Sequence, residues 1–114
     1  MDPIQRYEIQ YTAAAVDDIA EKFLYIKDVL KSPTTAIRWY KNLISSIKNN
    51  LSTYPEKYVL YHNSPRKDVI IRFFTVKNDL ILYQVDEVNK TVFILLCVTK
   101  NRNMQELLQQ RTLK

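Results

Sequence analysis

From Tyr7 to Tyr11 the chain alternates, with Tyr7, Ile9 and Tyr11 on one side and Arg6, Glu8 and Gln10 on the other. A period of two predicts a half-buried strand. The period then lengthens. Val16, Ile19, Ala20, Phe23, Ile26 and Leu30 recur at helical spacing, the signature of an amphipathic helix. Thr12 is placed to cap it, Asp17 and Asp18 lie near its start, and Lys27 and Lys31 lie at its end. "KSPTTA" interrupts the pattern: proline disfavours helix at Ser32 but is tolerated at a first helical position, so Ser32 is the expected cap of a second helix. Tyr40, Leu43, Ile44, Ile47 and Leu51 form the stripe of that helix, and so short a connection predicts a helical hairpin.

"STYPEKYVLYHNSPRKD" has no clear period and reads as an irregular segment. Three apolar runs follow: Asp68 to Val76, Leu80 to Asp86 and Thr91 to Thr99. Their separators, "KND" and "EVNK", predict an antiparallel meander whose turns rest on Asn and Asp. The last run is apolar on both faces, which predicts a central strand covered on both sides. "NMQELLQQ" is suited to a short C-terminal helix. The order strand, two helices, three strands is an α+β domain with the hairpin on one face of an antiparallel sheet.

Composition narrows the chemistry. The chain has 114 residues, 46% hydrophobic and 25% charged, which suits one globular domain spanning 1–114. The net charge is +5, and it is uneven: residues 1–57 hold 8 cationic side chains against 7 acidic, residues 58–114 hold 9 against 5. A basic C-terminal half suits an acidic partner or nucleic acid. Glycine is absent. That argues against phosphate-cradling loops and the G-x-S-x-G nucleophile elbow, both of which need it. One cysteine, Cys97, and one histidine, His62, make no metal set and no internal disulfide, so neither metal nor cofactor is expected. No signal-like N-terminus or membrane-length run is visible, and the expected location is the cytoplasm.

The quoted elements, in their order, resemble a known family. "YEIQYTAAAVDDIAEKFLYIKDVLKSPTTA" is similar to the opening of RelE/ParE superfamily toxins of bacterial type II toxin–antitoxin systems. "LSTYP", "IIRFFTVKNDLILYQVDE" and "VFILLCVTKNRN" resemble their helix exit, paired strands and basic closing strand. The resemblance implies a β-α-α-β-β-β fold and a basic toxin silenced by a small acidic antitoxin. It further implies one of two targets. RelE-like members are ribosome-dependent mRNA endonucleases needing no metal, whereas ParE-like members poison DNA gyrase.

Cleaving RNA this way requires cations to counter phosphate charge and a group to move protons. The family arginine three residues before the tyrosine matching Tyr83 is Leu80 here. Some members carry a histidine after the last strand, where this chain has Lys100, with Arg102 offset as a basic substitute. Arg72 matches the Arg-aromatic pattern of ParE-like chains. The resemblance therefore leans towards a gyrase poison, with an mRNA interferase or a non-toxic nucleic-acid-binding domain as alternatives. Candidate catalytic residues, on the RelE-like reading, are Lys100, Arg102 and Arg72. Candidate target- or antitoxin-binding residues are Arg72, Tyr83, Lys100, Arg102 and Trp39. Each has a plainer role: Arg72 a structural ion pair, Tyr83 a core residue with a bonded hydroxyl, Lys100 and Arg102 a solvated exit, Trp39 part of the helix stripe.

Overall fold

The computed structural model describes residues 6–61 and 69–100. His62, Arg102 and the expected C-terminal helix lie outside them. The elements are β1 (Glu8–Tyr11), α1 (Ala13–Leu24), α2 (Pro33–Leu51), β2 (Val59–Leu60), β3 (Arg72–Val76), β4 (Asp79–Asp86) and β5 (Thr91–Thr99). They form one five-stranded sheet in the order β1-β5-β4-β3-β2. The meander β3-β4-β5 is antiparallel as expected, but β1 runs parallel to β5, from Glu8 beside Thr91 to Tyr11 beside Ile94. The sheet is therefore mixed. A parallel pair needs a long crossover, and the whole of the intervening chain serves as one.

Three sequence expectations require correction. The segment after α2 contains a 3-10 turn, Pro55–Lys57, and the edge strand β2, which pairs Val59 with Phe73 and Leu60 with Arg72. Two residues are too few to show a period. The run expected to begin at Asp68 becomes strand only at Arg72, and Asp68 itself is not described. The turns do not place Asn or Asp in left-handed geometry. Among the described residues, positive φ falls at Lys31 (57°), Tyr54 (51°), Lys77 (54°) and Lys90 (50°). Asp86 serves its turn differently: its carboxylate accepts the N–H groups of Val88 and Asn89 at 3.0 and 3.1 Å.

Thr12 caps α1 as expected, accepting the Ala15 N–H at 3.2 Å and donating to the Ile94 carbonyl at 2.9 Å. Asp17 and Asp18 lie beyond the first turn. At its far end α1 runs into a π turn, Tyr25–Val29, which closes at the left-handed Lys31. Ser32 occupies the N-cap position of α2 but caps nothing: its hydroxyl is paired with that of Thr35 at 2.6 Å.

The main core lies between the helices and one sheet face. Ala15 and Ile19 of α1 and Leu43, Ile47 and Leu51 of α2 pack on Phe74, Val76, Ile81, Tyr83, Val92, Ile94 and Cys97. A second cluster, Ile71, Leu82, Leu96 and Val98, occupies the other face. β5 changes phase between them. Leu82 pairs with Leu96 but Tyr83 pairs with Ile94, so Leu95 is one residue too many. This bulge lets even-numbered Val92 and Ile94 and odd-numbered Cys97 all face the helices. The two apolar faces read from β5 are both buried, and β5 lies inside the sheet.

The helix stripes are wider than the surface they cover. Val16, Leu24, Ile37 and Tyr40 remain about half exposed. With Tyr11, Ile19, Ala20, Phe23 and Ile44 they line a groove of about 670 Å³ between the helices.

Candidate functional site

The sequence-derived candidates separate into two places. Arg72 opens β3 opposite Tyr83. Strand alternation puts it on the helix side with Phe74 and Val76, where its guanidinium donates to the Tyr58 carbonyl at 2.8 Å. Tyr83 has no exposed surface, and its hydroxyl donates to the Pro55 carbonyl at 2.5 Å. Burial pushes its pKa well above the ordinary tyrosine range. Tyr58 stacks on Phe74 with ring centres 5.0 Å apart, and Phe74 meets Tyr83 edge-on. Arg72 and Tyr83 thus hold the 55–58 segment against the end of the sheet.

Lys100 lies at the opposite end of the hairpin. It is exposed, directly follows β5, and its backbone N–H donates to the Asn78 carbonyl at 3.0 Å. From Arg72 to Val76, at the edge of that turn, the strand rises about 13 Å. The described site residues therefore do not converge on one phosphate-sized position. Arg102 lies outside the described residues.

Trp39 belongs with the Lys100 end, in a cluster that the sequence reading missed. The carboxylate of Asp79, 4% exposed, accepts from the Trp39 indole N–H at 2.7 Å and from the Lys22 ammonium at 2.5 Å. Lys22 also reaches the Thr99 hydroxyl at 3.2 Å and lies 5.4 Å from the centre of the Trp39 ring. One carboxylate ties α1, α2, β4 and β5 together. A buried charge is tolerable only when paired in this way. The only sequence signal is weak: an acid in a turn, a lysine on an apolar helix face and a lone tryptophan, each ordinary alone.

Beside this cluster, a second groove of about 540 Å³ is lined by Asp18, Glu21, Lys22, Tyr25, Thr35 and Thr99, among others. Cys97 at its floor is not a nucleophile. Burial, then the nearby Asp79 and Asp18 carboxylates, pushes its thiol up to about 12. Asp18 in turn accepts the Cys97 N–H at 3.0 Å. Among the described residues no group of His, Cys, Asp and Glu is arranged to hold a metal, and no helix is long and apolar enough to cross a membrane.

Two solved structures share this architecture. A chain of the chromosomal ParDE TA system from P. aeruginosa superposes with a TM-score of 0.65 at 15% identity, covering 83% of this chain and 97% of that one. A chain of the toxin–antitoxin complex RelBE2 from Mycobacterium tuberculosis superposes with a TM-score of 0.56 at 19% identity, covering 90% and 100%. The chain has the RelE/ParE-like fold. No family model matches the sequence, and no curated protein does. At these identities the RelE/ParE-like likeness is carried by the backbone: a helical hairpin on a sheet whose first strand lies parallel to its last.

Proposed function

We propose that this chain is the toxin of a type II toxin–antitoxin system, neutralised by a small acidic antitoxin, and that it acts as a ParE-like gyrase poison. The observation that carries the toxin reading is the fold shared, over nearly the whole of each partner chain, with ParDE and RelBE2 structures. The basic surface supports an acidic partner. α2 exposes Arg38, Lys41 and Lys48 and contains no acidic residue, and Lys100 adds a further exposed cation at the end of β5. An antitoxin segment with apolar anchors and acidic flanks would cover both kinds of surface.

The choice of target rests on what a ribonuclease would need. Leu80 replaces a cation, Arg72 is engaged with the Tyr58 carbonyl, and Lys100 lies at the other end of the β3–β4 hairpin. A phosphodiester cleavage lacking converged cations and an acid loses roughly 10²-fold or more for each missing group.

Expression of the chain alone should arrest bacterial growth, and co-expression of a short acidic reading frame from the adjoining gene should restore it. Purified protein should block gyrase supercoiling. mRNA cut at ribosomal A sites in a reconstituted translation reaction would move the reading to the RelE-like branch and make Lys100, Arg102 and Arg72 the first residues to mutate. Normal growth at verified soluble expression would count against a toxin of either kind and favour a non-toxic nucleic-acid-binding domain.

A further inference from the structure

We propose that the groove between α1 and α2 is the interface of a homodimer, closed in the free protein by a second copy of this chain. The first observation is apolar exposure. Val16, Leu24, Ile37 and Tyr40 are 50%, 51%, 47% and 43% exposed, and they adjoin one another along a single groove. A contiguous apolar strip of this kind marks an interaction surface.

The second observation selects the occupant. Charge is segregated between the two helices that form the walls. α2 carries Arg38, Lys41 and Lys48 and no acid. α1 carries Asp17, Asp18, Glu21 and Lys22; Lys22 is drawn inward to Asp79 and Asp18 to the Cys97 N–H, leaving Asp17 and Glu21 as its exposed charges. Among the described residues none of Asp17, Glu21, Lys41 and Lys48 is engaged in a side-chain hydrogen bond or ion pair. Each wall thus offers the charge that the other wall lacks, which is the condition for an isologous, self-complementary contact.

The helical geometry supplies the register. The hairpin helices are antiparallel, and Phe23 of α1 packs edge-on against Tyr40 of α2 with ring centres 6.3 Å apart. At 1.5 Å per residue, Glu21 lies about 3 Å and Asp17 about 9 Å from that crossing along α1. Lys41 lies about 1.5 Å and Lys48 about 12 Å from it along α2, in the same direction. A two-fold axis running along the groove lays α1 of one copy over α2 of the other at equal height. Glu21 then faces the partner's Lys41 and Asp17 the partner's Lys48, each pair occurring twice. An axis across the helices would instead stack α2 on α2, cation upon cation.

The test uses the full chain alone, so its outcome is independent of the toxin reading. Sedimentation equilibrium at micromolar to tens of micromolar concentration should show a monomer–dimer equilibrium that weakens with salt. Lys41→Glu with Lys48→Glu should weaken the dimer by roughly tenfold or more, because attraction becomes like-charge repulsion. Adding Asp17→Lys and Glu21→Lys to the same chain should restore it, and circular dichroism checks that each variant is folded. A wild-type chain that stays monomeric throughout would overturn the proposal and leave the groove to a different partner. A dimer indifferent to the charge reversal would overturn it too, by placing the contact elsewhere.

Discussion

At the scale of single residues, the Asp79 carboxylate carries more of the structure than any residue singled out from sequence. It is buried, and its two described side-chain partners come from two different helices. Removing it leaves the Trp39 N–H without its acceptor and the Lys22 ammonium without its counter-charge, with only the Thr99 hydroxyl still in reach. Asp79→Ala should therefore cost about 3 kcal/mol of stability, the range for breaking a buried pair, read by urea denaturation. Lys77 offers the opposite case. It is exposed and held at a φ of 54° in the β3–β4 turn, where a side chain crowds the backbone. Lys77→Gly removes that crowding and should stabilise the fold by up to about 1 kcal/mol, in the same measurement. A loss of stability would show that the lysine side chain, not the backbone, holds the turn.

At the scale of elements, the two helix starts look equivalent in sequence and are not. The Thr12 hydroxyl binds both the Ala15 N–H and the Ile94 carbonyl, so it caps α1 and fastens it to β5. The Ser32 hydroxyl is paired with Thr35 and satisfies no backbone N–H of α2. Thr12→Ala should cost about 1 kcal/mol or more, while Ser32→Ala should cost only a few tenths, as compared by thermal melting. The same contrast explains how much of the fold was legible. Elements with a sustained period, such as α2 and β5, appear where the pattern places them. β2 has two residues, and the π turn after α1 keeps an apolar sequence while changing its winding, so neither leaves a periodic trace.

At the scale of the whole molecule, the packed core sets the response to pH. Burial is the largest cause holding the Tyr11 hydroxyl up at about 12, and it moves Tyr83 in the same direction and Cys97 from 9.0 to about 12. In each case the native state keeps a proton that the unfolded chain releases sooner. Their contribution to stability is fully present below the unfolded values, near 9 for the thiol and 10 for the phenols, and is lost as pH rises towards the folded ones. These groups should therefore give stability no pH dependence near pH 7 and a fall between about pH 9 and 12. Tyrosinate absorbance and far-ultraviolet circular dichroism should then change together for Tyr11 and Tyr83. Gradual ionisation of every tyrosine near pH 10 without unfolding would contradict the packing described.

The chain's alternations and helical stripes, by themselves, determined the types and order of the longer elements and the α+β class, because each is written in a local repeat of apolar side chains; β2 and the π turn are not. The order of motifs also marked the RelE/ParE-like fold. Only the tertiary structure decided which apolar residues are core and which line the open groove, since a stripe records what faces inward or sideways but not how far the sheet extends beneath it. It decided that β1 joins β5 in parallel, a pairing across some eighty residues that no local pattern encodes. It also separated Arg72 from Lys100 and joined Lys22, Trp39, Asp79 and Thr99. Charges find partners through space, and the folded sheet, not chain order, sets those distances.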